Sequence, residues 1–348
     1  MLRVDIHKRL GTFRLESQFW AGNETLALLG ASGCGKSVTL KCIAGILRPD
    51  EGRIELDGQV LFDSAAKIDL PPQRRNVGYL FQQYALFPNM TVAQNIAVAA
   101  KDKAGRDAIV AEKLRQFHLE DVAMKRPAAL SGGQQQRTAL ARILTSQPRA
   151  ILLDEPFSAL DSYLKYQLEL ELSKTLSAFS GTVLWVTHDR GEAWRNCRRV
   201  CVMDDGKSQP VQTLEALFQA PGTESAARLS GCKNFAAAKP SGESVLLPEW
   251  GLTLACNRAV PSETAVAGIR SHRIRFAAQG EENAFSCVVV KVIDDVFGSI
   301  VLLRPVNAAQ DAPLLRIELD KAAWAAHEEE KTVTVAVRPE DILLLQKS

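Results

Sequence analysis

Gly30-Ala31-Ser32-Gly33-Cys34-Gly35-Lys36-Ser37 decides the reading of this chain. The stretch satisfies G-x-x-x-x-G-K-[ST], in which glycines let successive backbone N–H groups turn inward around an anion. The helix that follows adds its positive N-terminal end. Lys36 is placed to reach the β- and γ-phosphates of a nucleotide, and the Ser37 hydroxyl to ligate Mg²⁺. The flanks agree: ETLALLG at 24–30 is a short apolar run ending in glycine, the pattern of a buried strand entering a turn, and 36–46 follows with helical spacing. A chance glycine-rich turn would carry no such flanks.

Outward from the loop, Ile151-Leu152-Leu153-Asp154-Glu155 reads as a buried strand ending in two carboxylates. Asp154 then falls near the Mg²⁺ shell, and Glu155 where it can take a proton from an attacking water. Acidic pairs at strand ends are commonly just solvated; paired with a phosphate loop, this one points to hydrolysis of a nucleoside triphosphate. Further strand-like runs at 53–56, 77–81, 182–186 and 198–203 alternate with helical segments at 105–117, 131–146 and 162–179. That alternation predicts an α/β fold, a mostly parallel sheet covered on both faces.

The pattern changes at the breaker-rich segments 220–225 and 238–244, beyond which short alternating runs predominate and only 319–328 is helical in spacing. The expected organisation is therefore a nucleotide-binding domain over 1–229 and a smaller β-rich barrel or sandwich over 230–348. A length of 348 residues supports two such cores. With 42 Lys plus Arg against 40 Asp plus Glu, the chain lacks the basic surplus of a dedicated nucleic-acid binder. The seven cysteines form no CxxC pair, so reduced thiols fit better than zinc or a disulfide framework. No run approaches the ~18 apolar residues of a membrane span, and the charged start MLRVDIHKRL is unlike a signal peptide.

Leu130-Ser131-Gly132-Gly133-Gln134, followed by Gln135, Gln136 and Arg137, resembles the signature of ABC-type ATPases. Physically, Ser131 would cap a helix whose glycines leave its first amides bare, a second anion site. The remaining motifs fall in that family's order. Gln82, closing Val77–Gln82, resembles the glutamine that contacts Mg²⁺ or the attacking water. Ser158-Ala159-Leu160-Asp161 resembles the loop that crosses a dimer interface, and Val186-Thr187-His188-Asp189 the switch segment, with His188 at the γ-phosphate. The resemblance implies ATP and Mg²⁺ as ligands. It also implies two copies closing head-to-tail, each nucleotide lying between Gly30–Ser37 of one chain and Ser131–Gln134 of the other. His7, His118, His272 and His327 read as ordinary surface or core histidines, and Gln135 and Gln136 equally well as a polar helix face. One departure stands out: many family members stack an aromatic on adenine where this chain has Leu10, leaving Phe13 or Arg9 as substitutes.

The resemblance extends to importers. Gln83-Tyr84-Ala85-Leu86-Phe87-Pro88 beside Gln82 is similar to the loop that receives a short helix from a separate membrane permease, ordinary core packing being the other reading. The region after 230 resembles the OB-like regulatory (TOBE or molybdate-binding) domain of importer ATPases. Segments 7–15, 60–63 and 68–72 look most like molybdate or tungstate importers, with sulfate next. An importer implies an extracytoplasmic solute-binding protein and a place on the cytoplasmic face of the membrane. Sugar or polyamine import, and a soluble ABC ATPase without a permease, are the alternatives. Ser230–Asn234 and Gly268–Arg273 loosely resemble oxyanion-binding modules, which would let internal substrate inhibit the ATPase.

Overall fold

Strands buried on both faces need uniformly apolar sequences, and five such segments lie side by side. Val77–Leu80, Ala150–Asp154, Thr182–Thr187, Thr25–Gly30 and Arg199–Asp204 neighbour one another in that order, every pair parallel. Leu28, Leu152, Leu153, Leu184 and Trp185 on these strands are fully buried. The computed structural model describes residues 1–158, 162–278 and 280–347, in two compact units, Met1–Leu214 and Glu215–Ser348. In the first unit the helices Lys36–Ala44, Arg106–Gln116, Gly132–Thr145 and Ser162–Ser177 fall where the sequence spacing predicts them.

The other half of the same sheet is antiparallel, which the expectation of a mostly parallel sheet did not include. Leu2–Leu10 forms a hairpin with Phe13–Ala21 and pairs on its other side with Glu51–Leu56, which Gln59–Asp63 and Ile68–Asp69 extend. The reason is period-two alternation: Leu2, Val4 and Ile6 are buried while Arg3, Asp5 and His7 are exposed. Leu15, Phe19 and Ala21 complete the buried face from the second strand.

The second unit holds three antiparallel sheets among its described residues. Asn234–Ala237, Val266–Ile269 and Ile342–Leu345 form one, and Lys239–Ser241, Ser244–Leu247 and Leu252–Ala255 another. The largest runs Ile274–Phe276, Thr332–Val337, Ala284–Asp294, Gly298–Pro305, Leu315–Asp320 in spatial order. Trp250, Val301, Leu303 and Ile317 are fully buried at its core, with Trp324 nearly so. This is the expected β-rich, OB-like domain. The helix Glu224–Leu229 belongs to this unit, capped by Thr223 and joined by a Glu224 amide bond to the Gln346 carbonyl.

Candidate nucleotide site

Strand order alone assembles the site. Thr25–Gly30 leads into the glycine loop, Thr182–Thr187 beside it into His188, and Ala150–Asp154 beyond that into Glu155. The three strands are parallel, so all three carboxyl ends open on one edge, where ligands of open α/β sheets bind.

Two glycines of the loop are required by geometry. A Cβ on Gly30 would come within 2.4 Å of the Met203 carbonyl oxygen, and Gly35 has φ +105°, a conformation that L side chains rarely adopt. Gly35 starts the helix Lys36–Ala44 without a side-chain cap, leaving the first amides to a ligand. Lys36 is buried and curls back over the loop, its Nζ donating to the Gly30 and Ala31 carbonyls at 2.7 and 2.8 Å. Burial pushes the neighbouring Cys34 thiol up against the pull of Lys36, so Cys34 fills space as a neutral thiol. A Cβ on Gly35 would also lie 3.1 Å from Phe13 Cζ, which sets that ring, of the two substitutes for Leu10, against the loop. Leu10 is itself exposed, and Arg9 is engaged with Gly11 and Asp50.

Asp154 is buried and held at both oxygens. Ser37 Oγ donates to Oδ1 and the Tyr79 hydroxyl to Oδ2, each at 2.7 Å. Burial, reinforced by Asp154, pushes the Tyr79 hydroxyl well up, so it remains a donor at any physiological pH. A hydroxyl and a carboxylate oxygen in contact are the hard, oxygen-only donor set that Mg²⁺ takes. Gln82 lies apart from this pair: its Nε2 donates to Ser158 Oγ at 2.8 Å, and Ser158 Oγ donates to the Glu155 carbonyl at 3.1 Å.

Glu155 has φ +46°, a left-handed turn uncommon for a residue with a side chain. Its amide bonds the Val186 carbonyl of the adjacent strand, and its Oε1 stands 3.5 Å from His188 Nδ1. Both side chains line a cavity of about 130 Å³ with Ser158, Lys165, Thr187 and Glu192. Tyr79, Lys165 and Glu192 were not among the sequence candidates, because each acts through a partner distant in sequence.

Ser131 caps the helix Gly132–Thr145 in a closed box. Its Oγ accepts from the Gln134 amide, and Gln134 Oε1 accepts from the Ser131 amide. The Gly132 and Gly133 amides lie ahead of the first intrahelical bond. Among the described residues no hydrogen bond joins this helix start to the Gly30–Ser37 loop. Gln136 is buried, its Nε2 donating to the Pro156 carbonyl next to Glu155, while Gln135 bonds the Pro127 and Leu130 carbonyls. Neither is a mere polar face. Asp161 lies outside the described residues. In the second unit Ser230 and Arg270 do meet, but the Arg270 guanidinium donates to Ser230 and to the Phe218 carbonyl.

A P-loop nucleoside triphosphatase is the class that this fold and site define. The profile of the ABC transporter family matches residues 15–158. Over 234 residues the chain is 44% identical to the molybdate/tungstate import ATP-binding protein WtpC of Archaeoglobus fulgidus, covering 66% of this chain and 94% of that one. It is 40% identical over 224 residues to the molybdenum import ATP-binding protein ModC of Paramagnetospirillum magneticum, 64% of this chain but only 62% of the relative. It is 39% identical over 265 residues to the spermidine/putrescine import ATP-binding protein PotA of Pseudomonas aeruginosa, 73% and 71% of the two chains. The ATP-binding cassette MJ0796, solved as a dimer in a post-hydrolysis state with ADP and Pi, aligns with TM-score 0.52 and 29% identity over 62% of this chain and 99% of that one. The chain belongs to the ABC transporter family and is an ABC-type ATPase. No helix among the described residues is long and apolar enough to cross a membrane.

Proposed function

We propose that this chain energises import of an oxyanion of the molybdate or tungstate type, two copies closing on two ATP molecules. The observation that supports the paired mechanism is a second helix start at Ser131–Gln134 whose leading amides precede its first intrahelical bond, in the same unit as the glycine loop and, among the described residues, sharing no hydrogen bond with it. One chain then offers two phosphate surfaces, and the natural partner of each is the other surface on a second copy.

In that pair Lys36 swings from the Gly30 and Ala31 carbonyls onto the β- and γ-phosphates, joined there by the uncapped helix amides. Ser37 and Asp154 would hold Mg²⁺, Gln82 joining them only on release from Ser158, and the ion would neutralise charge on the phosphates. Tyr79 keeps Asp154 oriented. Glu155 accepts the proton of the attacking water, and His188 donates to the γ-phosphate. From the partner copy, the Ser131 hydroxyl keeps its hydrogen free to donate, because its oxygen is the acceptor in the capping box. Phe13 is the aromatic available to adenine.

Coupling to a permease would run through Gln82–Pro88. Tyr84 and Ala85 hold left-handed backbone, Arg142 donates to both their carbonyls, and buried Asn95 bonds the Phe87 amide and carbonyl. The loop is thus rigid while Phe87 itself stays exposed, as a knob for a short membrane-subunit helix needs. An extracytoplasmic binding protein would supply the permease. Support for the oxyanion comes from the WtpC and ModC relatives; PotA favours a polyamine as the second reading. Uptake of labelled molybdate should vanish in a strain lacking this chain, and unchanged molybdate uptake with lost spermidine uptake would select the second reading. An integral membrane subunit should co-purify; its absence would return the chain to the soluble ATPases.

A further inference from the structure

Lys165, in the first turn of the helix Ser162–Ser177, points into the cavity that holds Glu155 and His188. Its Nζ lies 2.6 Å from Glu192 Oε1 and 2.7 Å from Asp189 Oδ2. Glu192 is buried, and its other oxygen accepts from the Thr187 hydroxyl at 2.8 Å and the Trp185 indole at 3.4 Å. Asp189 caps the helix Arg190–Asn196 through the Gly191 and Glu192 amides, while its own amide donates to Thr187 Oγ1. Burial is the largest single influence on both Lys165 and Asp189 and works to neutralise them, yet Asp189 and Glu192 together raise the lysine, and Lys165 with the Gly191 and Glu192 amides lowers the acid.

His188 sits in the middle of this network without sharing in it. Its ring is 55% exposed and touches Glu155 only at 3.5 Å, so packing does not fix it. What fixes it is the backbone of Thr187 and Asp189 on either side: Thr187 bonds the Glu192 carboxylate, Asp189 carries its own, and Lys165 clamps both. We propose that Lys165 is the positioning residue of the switch histidine: it anchors the turn after strand Thr182–Thr187 to the helix Ser162–Ser177, and so sets where His188 meets the γ-phosphate. The inference rests on the assignment of His188 to the γ-phosphate.

Steady-state ATP hydrolysis by the full chain tests it in a double-mutant cycle. Lys165→Gln should lower kcat about tenfold with KM for ATP changed less than twofold, the loss expected when a catalytic group is slightly displaced. Lys165→Arg should recover most of it, since a guanidinium can hold both carboxylates. In a His188→Ala background, Lys165→Gln should cost no further turnover, whereas a purely structural lysine would cost its full factor again and overturn the proposal. A rise in KM at constant kcat, or failure of Lys165→Arg to recover, would also overturn it. If His188→Ala alone leaves turnover intact, the histidine assignment fails first and the proposal with it. Should Lys165→Gln not fold, Asp189→Asn, which leaves the buried Glu192 pair in place, goes through the same cycle with the same expectations.

Discussion

Two glycine-rich helix starts in the first unit meet the same problem, orphan amides, in opposite ways. The helix after Gly35 has no side-chain cap and a buried lysine folded over its loop. The helix after Ser131 is closed by a reciprocal box with Gln134. An uncapped start remains unsatisfied until an anion arrives, which suits tight binding within one chain. A capped start is stable by itself and offers only its first two amides and one hydroxyl hydrogen, which suits a surface that must wait for a partner. The difference separates binding from turnover: damage at Gly30–Ser37 should be felt by one chain alone, damage at Ser131–Gln134 only by the pair.

The largest effect expected lies at neither start but between them. Glu155→Gln keeps the shape of the turn and removes the carboxylate proposed as the base, so turnover should fall by about 10² to 10⁴ while ATP binding measured by calorimetry persists. Lys36→Ala removes a charge-assisted contact of about 1.5–3 kcal/mol, weakening ATP binding roughly tenfold to a hundredfold in a single chain. Ser131→Ala sharpens the contrast. Unfolding should register the lost cap as about 1 kcal/mol, single-chain ATP affinity should not move, and turnover should drop about tenfold; a matching loss of affinity would erase the distinction between the two helix starts. The smallest change in turnover is expected of Tyr79→Phe, which strips a donor from buried Asp154: stability should fall by about 1–3 kcal/mol, and half-maximal turnover should need more Mg²⁺.

Legibility followed sequence distance. The loop, the acidic pair and the signature are chain-local arrangements, so Gly30–Ser37, Asp154 and Glu155 are legible from spacing and flanks, and Ser131–Gln134 from the family resemblance. The antiparallel half is equally local, since Leu2, Val4 and Ile6 alternate with polar residues, but one alternating strand does not say which neighbours it pairs with. Contacts closing over long separations are legible only where both ends sit in motifs, as Ser37 and Asp154 do across 117 positions. Tyr79 reaches Asp154 across 75 positions and Lys165 reaches Asp189 across 24, and neither pair leaves a sequence trace. A tyrosine inside VGYLF reads as one more apolar strand residue, and a lysine on a polar helix as solvated surface. Only strand order brings them to the nucleotide edge. Phe13 illustrates the same point: the family resemblance offers it beside Arg9, and the fold sets its ring against Gly35.

In the proposed mechanism each nucleotide is completed by Ser131–Gln134 of a second copy. Sedimentation of the full-length Glu155→Gln chain with ATP and Mg²⁺ tests it most directly, alone and combined with Ser131→Arg. A dimer should form with ATP but not with ADP, and Ser131→Arg should abolish it while ATP still binds. A chain that stays monomeric with ATP, or a dimer indifferent to Ser131→Arg, would contradict it.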